Sequence, residues 1–162
     1  MWRQTLLSVA YLLPLPDVSA AAARTGEVSP NMKIAEYVLP KSARPRRLAI
    51  HRDEVIFYTD YQRGYPGSLD PESGKVQEWL SPGGHSSRPY GITVTAESVV
   101  WYSESGVEPN RIVRFSPVTK HFETWDIPSG GVVIRNMLVV PDGNIYIARS
   151  GVKKIGVVRV EH

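Results

Sequence analysis

The chain has 162 residues, the length of one domain, and 42% of them are hydrophobic, enough to build a core. Nineteen Lys and Arg against sixteen Asp and Glu give a net charge of +3, too mild to imply a nucleic-acid partner. There is no cysteine, which excludes disulfides, thiolate chemistry and cysteine-held metals without fixing the compartment.

Residues 1–23 follow the order of a secretory signal peptide. Met1-Trp-Arg-Gln4 carries one positive charge, Leu6 to Leu15 is mostly apolar, and Ala20 to Ala23 are small residues suited to cleavage. The apolar run is interrupted by Pro14 and is too short for a membrane span. Cleavage there implies a periplasmic or secreted protein; without it the chain is expected in the cytoplasm. Residues 24–33 read as a polar linker and residues 34–162 as the folded domain.

Thirteen Gly and thirteen Pro, with twelve of the fifteen aromatics between Tyr37 and Trp125, favour short strands and many turns. No segment sustains a helical period. The dense basic stretch Arg44-Pro-Arg-Arg47 reads as a solvated loop face, with a phosphate-binding patch as its alternative. Val55-Ile-Phe-Tyr-Thr-Asp60 and Val99-Val-Trp-Tyr-Ser-Glu104 are the same pattern at an offset of 44 residues: an apolar run, a hydroxyl, a carboxylate. Arg44-Pro-Arg-Arg-Leu-Ala-Ile50 matches Arg88-Pro-Tyr-Gly-Ile-Thr-Val94 at that offset. A weaker copy holds Arg135-Asn-Met-Leu-Val139 and Ile145-Tyr-Ile-Ala-Arg149. Closing segments recur as Glu36-Tyr-Val-Leu-Pro40, Glu78-Trp-Leu-Ser-Pro82 and Glu123-Thr-Trp-Asp-Ile-Pro128.

Each unit carries four strand-like runs. In the second they are Gly91–Thr95, Val99–Ser103, Arg111–Ser116 and His121–Ile127, separated by turn-forming residues. Asp70-Pro-Glu-Ser-Gly74 and Pro141-Asp-Gly-Asn144 supply equivalent turns in the other units. Four short antiparallel strands every 40–45 residues or so is the period of a β-propeller blade. The expected fold is therefore all-β, a β-propeller-type arc of about three four-stranded antiparallel blades. Asp60, Glu104 and Arg149 share one repeat position, at the end of the second strand; Arg46, Tyr90 and Arg135 share another, at the start of the first. Antiparallel pairing brings both sets to one mouth of the channel.

Pro89-Tyr-Gly-Ile92, Trp101-Tyr-Ser-Glu104 and Trp125-Asp-Ile-Pro128 resemble the blade motifs of the streptogramin lyase (virginiamycin B lyase) family. The resemblance covers about Ile34 onward and looks like a lyase-like branch of periplasmic bacterial homologues. It implies Mg²⁺-assisted elimination that opens a cyclic depsipeptide at its ester, with a His as base. Glu104 matches the motif carboxylate, but Tyr90 stands where the motif His belongs, and His51, His85, His121 and His162 lie outside motif positions. On this resemblance Glu104 and Tyr90 are the candidate catalytic residues.

Asp60 and Glu104 are the candidate ligands of a metal, Mg²⁺ above all, or else partners of Arg46, Arg135 or Arg149 in ion pairs. Arg46, Tyr58, Tyr102, Arg135, Asn136 and Arg149 are candidates for contact with a small-molecule ligand, the two tyrosines having inter-blade packing as their alternative. Trp79 and Trp125 read as packing residues. A lactonase-type propeller is a related possibility, for which Asp60, Glu104 and Asn136 supply part of an oxygen-ligand set. A non-catalytic binding or scaffold module is the competing class.

Propellers close with four blades or more. Pairing of Ile34–Leu39 with Ile155–Val160 is expected to complete the last blade. Three outcomes are consistent with a three-blade arc: a shortened, inactive homologue, a homodimer closing a six-bladed ring, or an open arc docked on a larger protein.

Overall fold

The computed structural model describes residues 23–29, 32–131 and 133–160. The signal-peptide segment, apart from Ala23, and His162 lie outside them. Among the described residues the fold is all-β, a partial β-propeller arc with one short 3₁₀ turn at Ser150–Val152. None of its helices is long and apolar enough to cross a membrane.

Strands β3 (Pro45–Ile50), β4 (Ile56–Asp60), β5 (Tyr65–Leu69) and β6 (Val76–Glu78) form the first blade as an antiparallel meander. The second has β7 (Pro89–Val94), β8 (Val100–Glu104), β9 (Arg111–Ser116) and β10 (His121–Asp126) in the same order. The third has β11 (Asn136–Val139), β12 (Ile145–Arg149) and β13 (Lys154–Val158). The first strands β3, β7 and β11 stand side by side, so they form the inner wall of the arc.

The turns form where the chemistry requires. Asp70 Oδ1 accepts the Glu72 amide at 2.9 Å, and Gly74, at φ 69°, returns its N–H to the Asp70 carbonyl. Asp142 Oδ1 accepts the Asn144 amide at 3.0 Å around Gly143, whose φ of 84° suits a residue without Cβ.

Two expectations are corrected at the ends of the arc. The stretch read as a linker contains β1 (Ala23–Ser29), which pairs antiparallel with β2 (Met32–Tyr37). Consequently β2 does not close the third blade, whose sheet has three strands rather than four. Tyr37 and Leu39 instead pack on Tyr58, Leu69 and Val76 of the first blade, and the Tyr37 hydroxyl donates to the Pro71 carbonyl at 2.8 Å. This is the place a preceding blade's closing strand takes: Trp79, after β6, packs likewise on the second blade, and Ile127, after β10, on the third.

The core therefore lies between blades. Phe57, Ile92, Val100, Tyr102, Val113 and Phe115 fill the first interface, and Trp101, Ile112, Ile127, Ile134, Met137, Ile145 and Ile147 the second. Trp125 stacks on Trp101 at 5.6 Å yet stays 46% exposed, facing a cleft of about 1350 Å³ between the second and third blades.

His51, immediately after β3, links the first two blades at the face opposite the strand starts. Its Nε2 lies 3.1 Å from the Ala96 carbonyl and 3.1 Å from Ser98 Oγ, while Nδ1 meets the Asp53 carboxylate. Acceptors face both nitrogens, so the imidazolium fits best, and the Ala96 carbonyl and Asp53 raise its pKa above the usual 6.5. A raised folded-state pKa gives stability that is complete below about pH 6.5 and lost as pH rises through the folded value. The expected result is an unfolding midpoint that increases from pH 8 to pH 6. In His51→Gln that increment should be smaller, as followed by circular dichroism; an equal increment in both proteins would refute the assignment.

Candidate functional site

The repeat places its motif residues at one end of the blades, as expected. Pro45 pairs with Asp60 and Pro89 with Glu104, so the starts of β3 and β7 lie beside the ends of β4 and β8. Both pairings then shift register, between Pro45 and Leu48 and between Pro89 and Ile92. Two residues oppose one at each bulge: Arg46 and Arg47 against Thr59, Tyr90 and Gly91 against Ser103. A bulge re-aims side chains next to it, and here it recurs at the same repeat position. The basic stretch is thus the beginning of an inner strand, with Arg46 and Arg47 exposed, rather than a loop.

The hydroxyl–carboxylate motif joins blades. Thr59 Oγ1 donates to the Tyr90 carbonyl at 2.7 Å, and Ser103 Oγ to the Ile134 carbonyl at 3.1 Å, each reaching forward to the next blade. After its hydroxyl, Glu104 reaches back to the preceding blade, whereas Asp60 holds the entry to its own blade and the turn that follows it. Glu104 Oε1 accepts Ser81 Oγ at 2.6 Å and the Gly83 amide at 2.7 Å, both in the loop that leaves the first blade. Asp60 Oδ1 accepts the amides of Arg44, Gln62 and Arg63, and its Oδ2 accepts Arg63 Nε at 2.5 Å. Arg149 performs the task of Glu104 with reversed polarity, donating to Ser129 Oγ at 2.6 Å and to the Gly130 carbonyl at 3.1 Å.

These contacts change the ion pairs expected for the carboxylates. The partner of Asp60 is Arg63, three residues on in the turn, and the cation nearest Glu104 is Arg111 at 3.9 Å, its cross-strand neighbour on β9. Neither carboxylate pairs with Arg46, Arg135 or Arg149. Asp60 and Glu104 are fully buried, and Arg149 is 4% exposed. Glu104 Oε2 is buried without a hydrogen-bond partner.

Tyr58 and Tyr102 lie in the core rather than in a pocket. The Tyr58 hydroxyl donates to Glu78 Oε1 at 2.7 Å, and the Tyr102 hydroxyl meets Ser81 Oγ at 2.7 Å. Burial raises both phenol pKa values beyond any physiological range, so neither ring ionises. Asn136 is exposed at the start of β11, and His85 is exposed with Nδ1 3.0 Å from the Arg63 carbonyl.

The donor set does not fit Mg²⁺. Such an ion needs several free oxygens in octahedral array, whereas the Asp60 oxygens are taken by four donors and Glu104 Oε1 by two. Among the described residues no group of three or more His, Asp or Glu converges as a metal site would require.

What does reach solvent at this mouth is an arginine–tyrosine cluster. The Arg46 guanidinium sits 5.0 Å from the Tyr61 ring centroid and that of Arg88 5.7 Å from the same ring. Tyr61 meets Tyr90 edge-on at 5.6 Å, and the Arg47 guanidinium lies 5.6 Å from the Tyr90 ring. Arg47 Nε also donates to the Arg135 carbonyl at 2.9 Å, spanning from the first blade to the third. Sequence reasoning placed Arg46, Tyr90 and Arg135 at this mouth, saw Arg47 only as part of a basic loop stretch, and missed Arg88 and Tyr61. The matching Arg-Pro pairs, Arg44-Pro45 and Arg88-Pro89, were the available signal.

No protein-family model matches the chain, and no curated protein matches it. Solved structures do resemble it. Virginiamycin B lyase from Staphylococcus aureus superposes with a TM-score of 0.68 at 19% identity, over 80% of this chain and 42% of that one. A catalytically inactive form of the Staphylococcus aureus lyase, solved with quinupristin, gives 0.69 at 19% identity, over 92% of this chain and 55% of that one. A luciferin-regenerating enzyme gives 0.55 at 18% identity, over 75% and 42%. The chain thus spans about half the length of the lyases it resembles. At these identities the likeness establishes the fold, a virginiamycin B lyase-like β-propeller arc, and not the reaction.

Proposed function

We propose that this chain is a ligand-binding arc of a streptogramin-lyase-like propeller, holding a small polar molecule at the channel mouth without metal-assisted elimination. One observation carries this reading. The motif carboxylates Asp60 and Glu104 are buried and spent on loop amides and hydroxyls, while an arginine–tyrosine surface occupies the place where the resemblance puts a base. A general base must reach the proton it removes, and Tyr90 is engaged with Arg47 and Tyr61 instead.

The elimination reading keeps one point in its favour, the unpartnered Glu104 Oε2. Both are tested by following a streptogramin B-type cyclic depsipeptide with and without Mg²⁺, alongside the unfolding midpoint in Mg²⁺, Ca²⁺ and EDTA. The binding reading expects an intact depsipeptide and one midpoint in all three conditions, because a native-state ligand has to stabilise the fold. Mg²⁺-dependent ring opening that Glu104→Gln abolishes would overturn it.

Closure of a six-bladed ring by a second copy is part of the same proposal. It is supported by apolar side chains exposed at both ends of the arc: Leu48 and Ile50 on β3, Ile155 and Val157 on β13. The mass in solution decides it.

A further inference from the structure

We propose that the channel mouth is a receptor for a small multivalent oxyanion, a di- or tricarboxylate or a polyphosphate, clamped by Arg46, Arg47 and Arg88. This rests on the reading of the mouth as a binding surface and specifies its ligand class.

Three observations support it. The first is convergence. Arg46 and Arg88 share the Tyr61 ring, Tyr61 touches Tyr90, and Arg47 lies over Tyr90. Arg46 and Arg47 come from the first blade and Arg88 precedes the second; Arg135, just before the third, is exposed, and its carbonyl accepts the bond from Arg47.

The second is the missing countercharge. No ion pair among the described residues engages Arg46, Arg47, Arg88 or Arg135, although Arg63, Arg111 and Arg114 nearby in the fold all have carboxylate partners. The two carboxylates closest in the repeat, Asp60 and Glu104, are turned inward and fully buried. Like charges gathered without neutralisation raise the local potential, and a low-dielectric wall concentrates it.

The third is preorganisation. Cation–π contact holds guanidinium planes over the tyrosine rings, and the Arg47–Arg135 carbonyl bond fixes one fork across three blades. The register bulge that aims Arg46 and Arg47 outward is repeated at Tyr90, so the placement belongs to the scaffold. Guanidinium forks match carboxylate and phosphate oxygens in bidentate geometry, which a lysine cannot do. Several such forks favour a ligand with more than one anionic group.

The test is isothermal titration of the full chain with citrate and, separately, pyrophosphate, at constant ionic strength set by chloride. One saturating site is expected for at least one of them, and the better arm identifies carboxylate or phosphate. In Arg46→Gln/Arg88→Gln affinity should fall about a hundredfold, each of the two lost charge-assisted contacts being worth roughly tenfold. Lys75→Gln/Lys120→Gln, in exposed turns at the opposite end of the first and second blades, should bind as the wild type does. Circular dichroism confirms that both variants fold.

Absence of saturable heat with either anion, or equal binding by the arginine variant, would overturn the proposal. Tighter binding of a short single-stranded oligonucleotide, with a salt slope of several charges, would also overturn it by reassigning the cluster to nucleic acid. Because no metal or depsipeptide is present, failure here leaves the non-catalytic reading standing, and Mg²⁺-dependent elimination would remove that reading without touching these titrations.

Discussion

Glu104→Ala is expected to cost about 3 kcal/mol of folding stability, whereas Glu104→Gln costs about 1 kcal/mol. Truncation leaves the Gly83 amide and the Ser81 hydroxyl facing a cavity at a fully buried site. An unmade buried hydrogen bond costs roughly 1–3 kcal/mol per group. Glutamine retains an acceptor oxygen for both donors and loses only the attraction of Arg111, which is 3.9 Å away and already pairs with Asp126 at 3.2 Å. Urea unfolding of the three proteins measures the difference. The ordering also separates stitching from catalysis. A carboxylate kept for chemistry is commonly neutral or costly to stability, so an alanine variant as stable as the wild type would show that the loop contacts contribute nothing. The serine partner gives an internal check, since Ser81→Ala removes one of the two donors and should lose a fraction of the same energy.

The motif that predicts this behaviour is visible in the sequence, but its purpose is not. The period of 44 residues and the alternation within Val99 to Glu104 follow from strands whose side chains alternate between two blade faces. That is why the number of blades, the strands of the first two and the shared mouth were legible. The partners of Glu104 stand 23 and 21 residues earlier, in a loop whose position depends on how blades stack. Nothing local in Ser81-Pro-Gly83 announces an inter-blade clip. The bulges were hidden for a related reason: register is a property of two strands, and only the pairing shows that Arg46 and Arg47 together oppose Thr59. The closing strand was misassigned because Ile34 to Leu39 carries the correct motif, yet β1 lies immediately before it and closes a far smaller loop than β13 would. Tyr58 and Tyr102 were legible only as a choice between pocket and core. Gly67 resolves the first: a Cβ there would stand 2.4 Å from the Tyr58 ring, so the glycine exists to admit it.

Phe115→Ala is expected to be the most damaging single truncation, about 4 kcal/mol, near the middle of the range for a buried aromatic. The ring is fully buried at the interface of the first two blades. Phe122 stacks on it at 4.3 Å and 19°, and Trp79, on the segment after β6, meets it at 4.9 Å. Aromatic pairs of this geometry add about 0.5–1.5 kcal/mol to the burial itself. Two rings, one from each of two blades, therefore depend on one side chain, and the residual cavity cannot collapse without separating the sheets. Against a typical total of about 5–15 kcal/mol, this loss removes a large share of the fold's stability. Phe115→Leu keeps much of the volume and should lose about half as much. Urea titration read by circular dichroism measures both, and the comparison isolates packing: a Phe115→Leu loss no larger than its small deficit in buried area would mean that the stacked rings contribute no more than their area, while a small loss in both would place the mechanical centre of the arc elsewhere than this interface. Tryptophan fluorescence adds a local readout, because Trp79 gains water access as soon as its neighbour is removed. A red shift in Phe115→Ala before any global unfolding is the expected sign that the first two blades have come apart at their shared core.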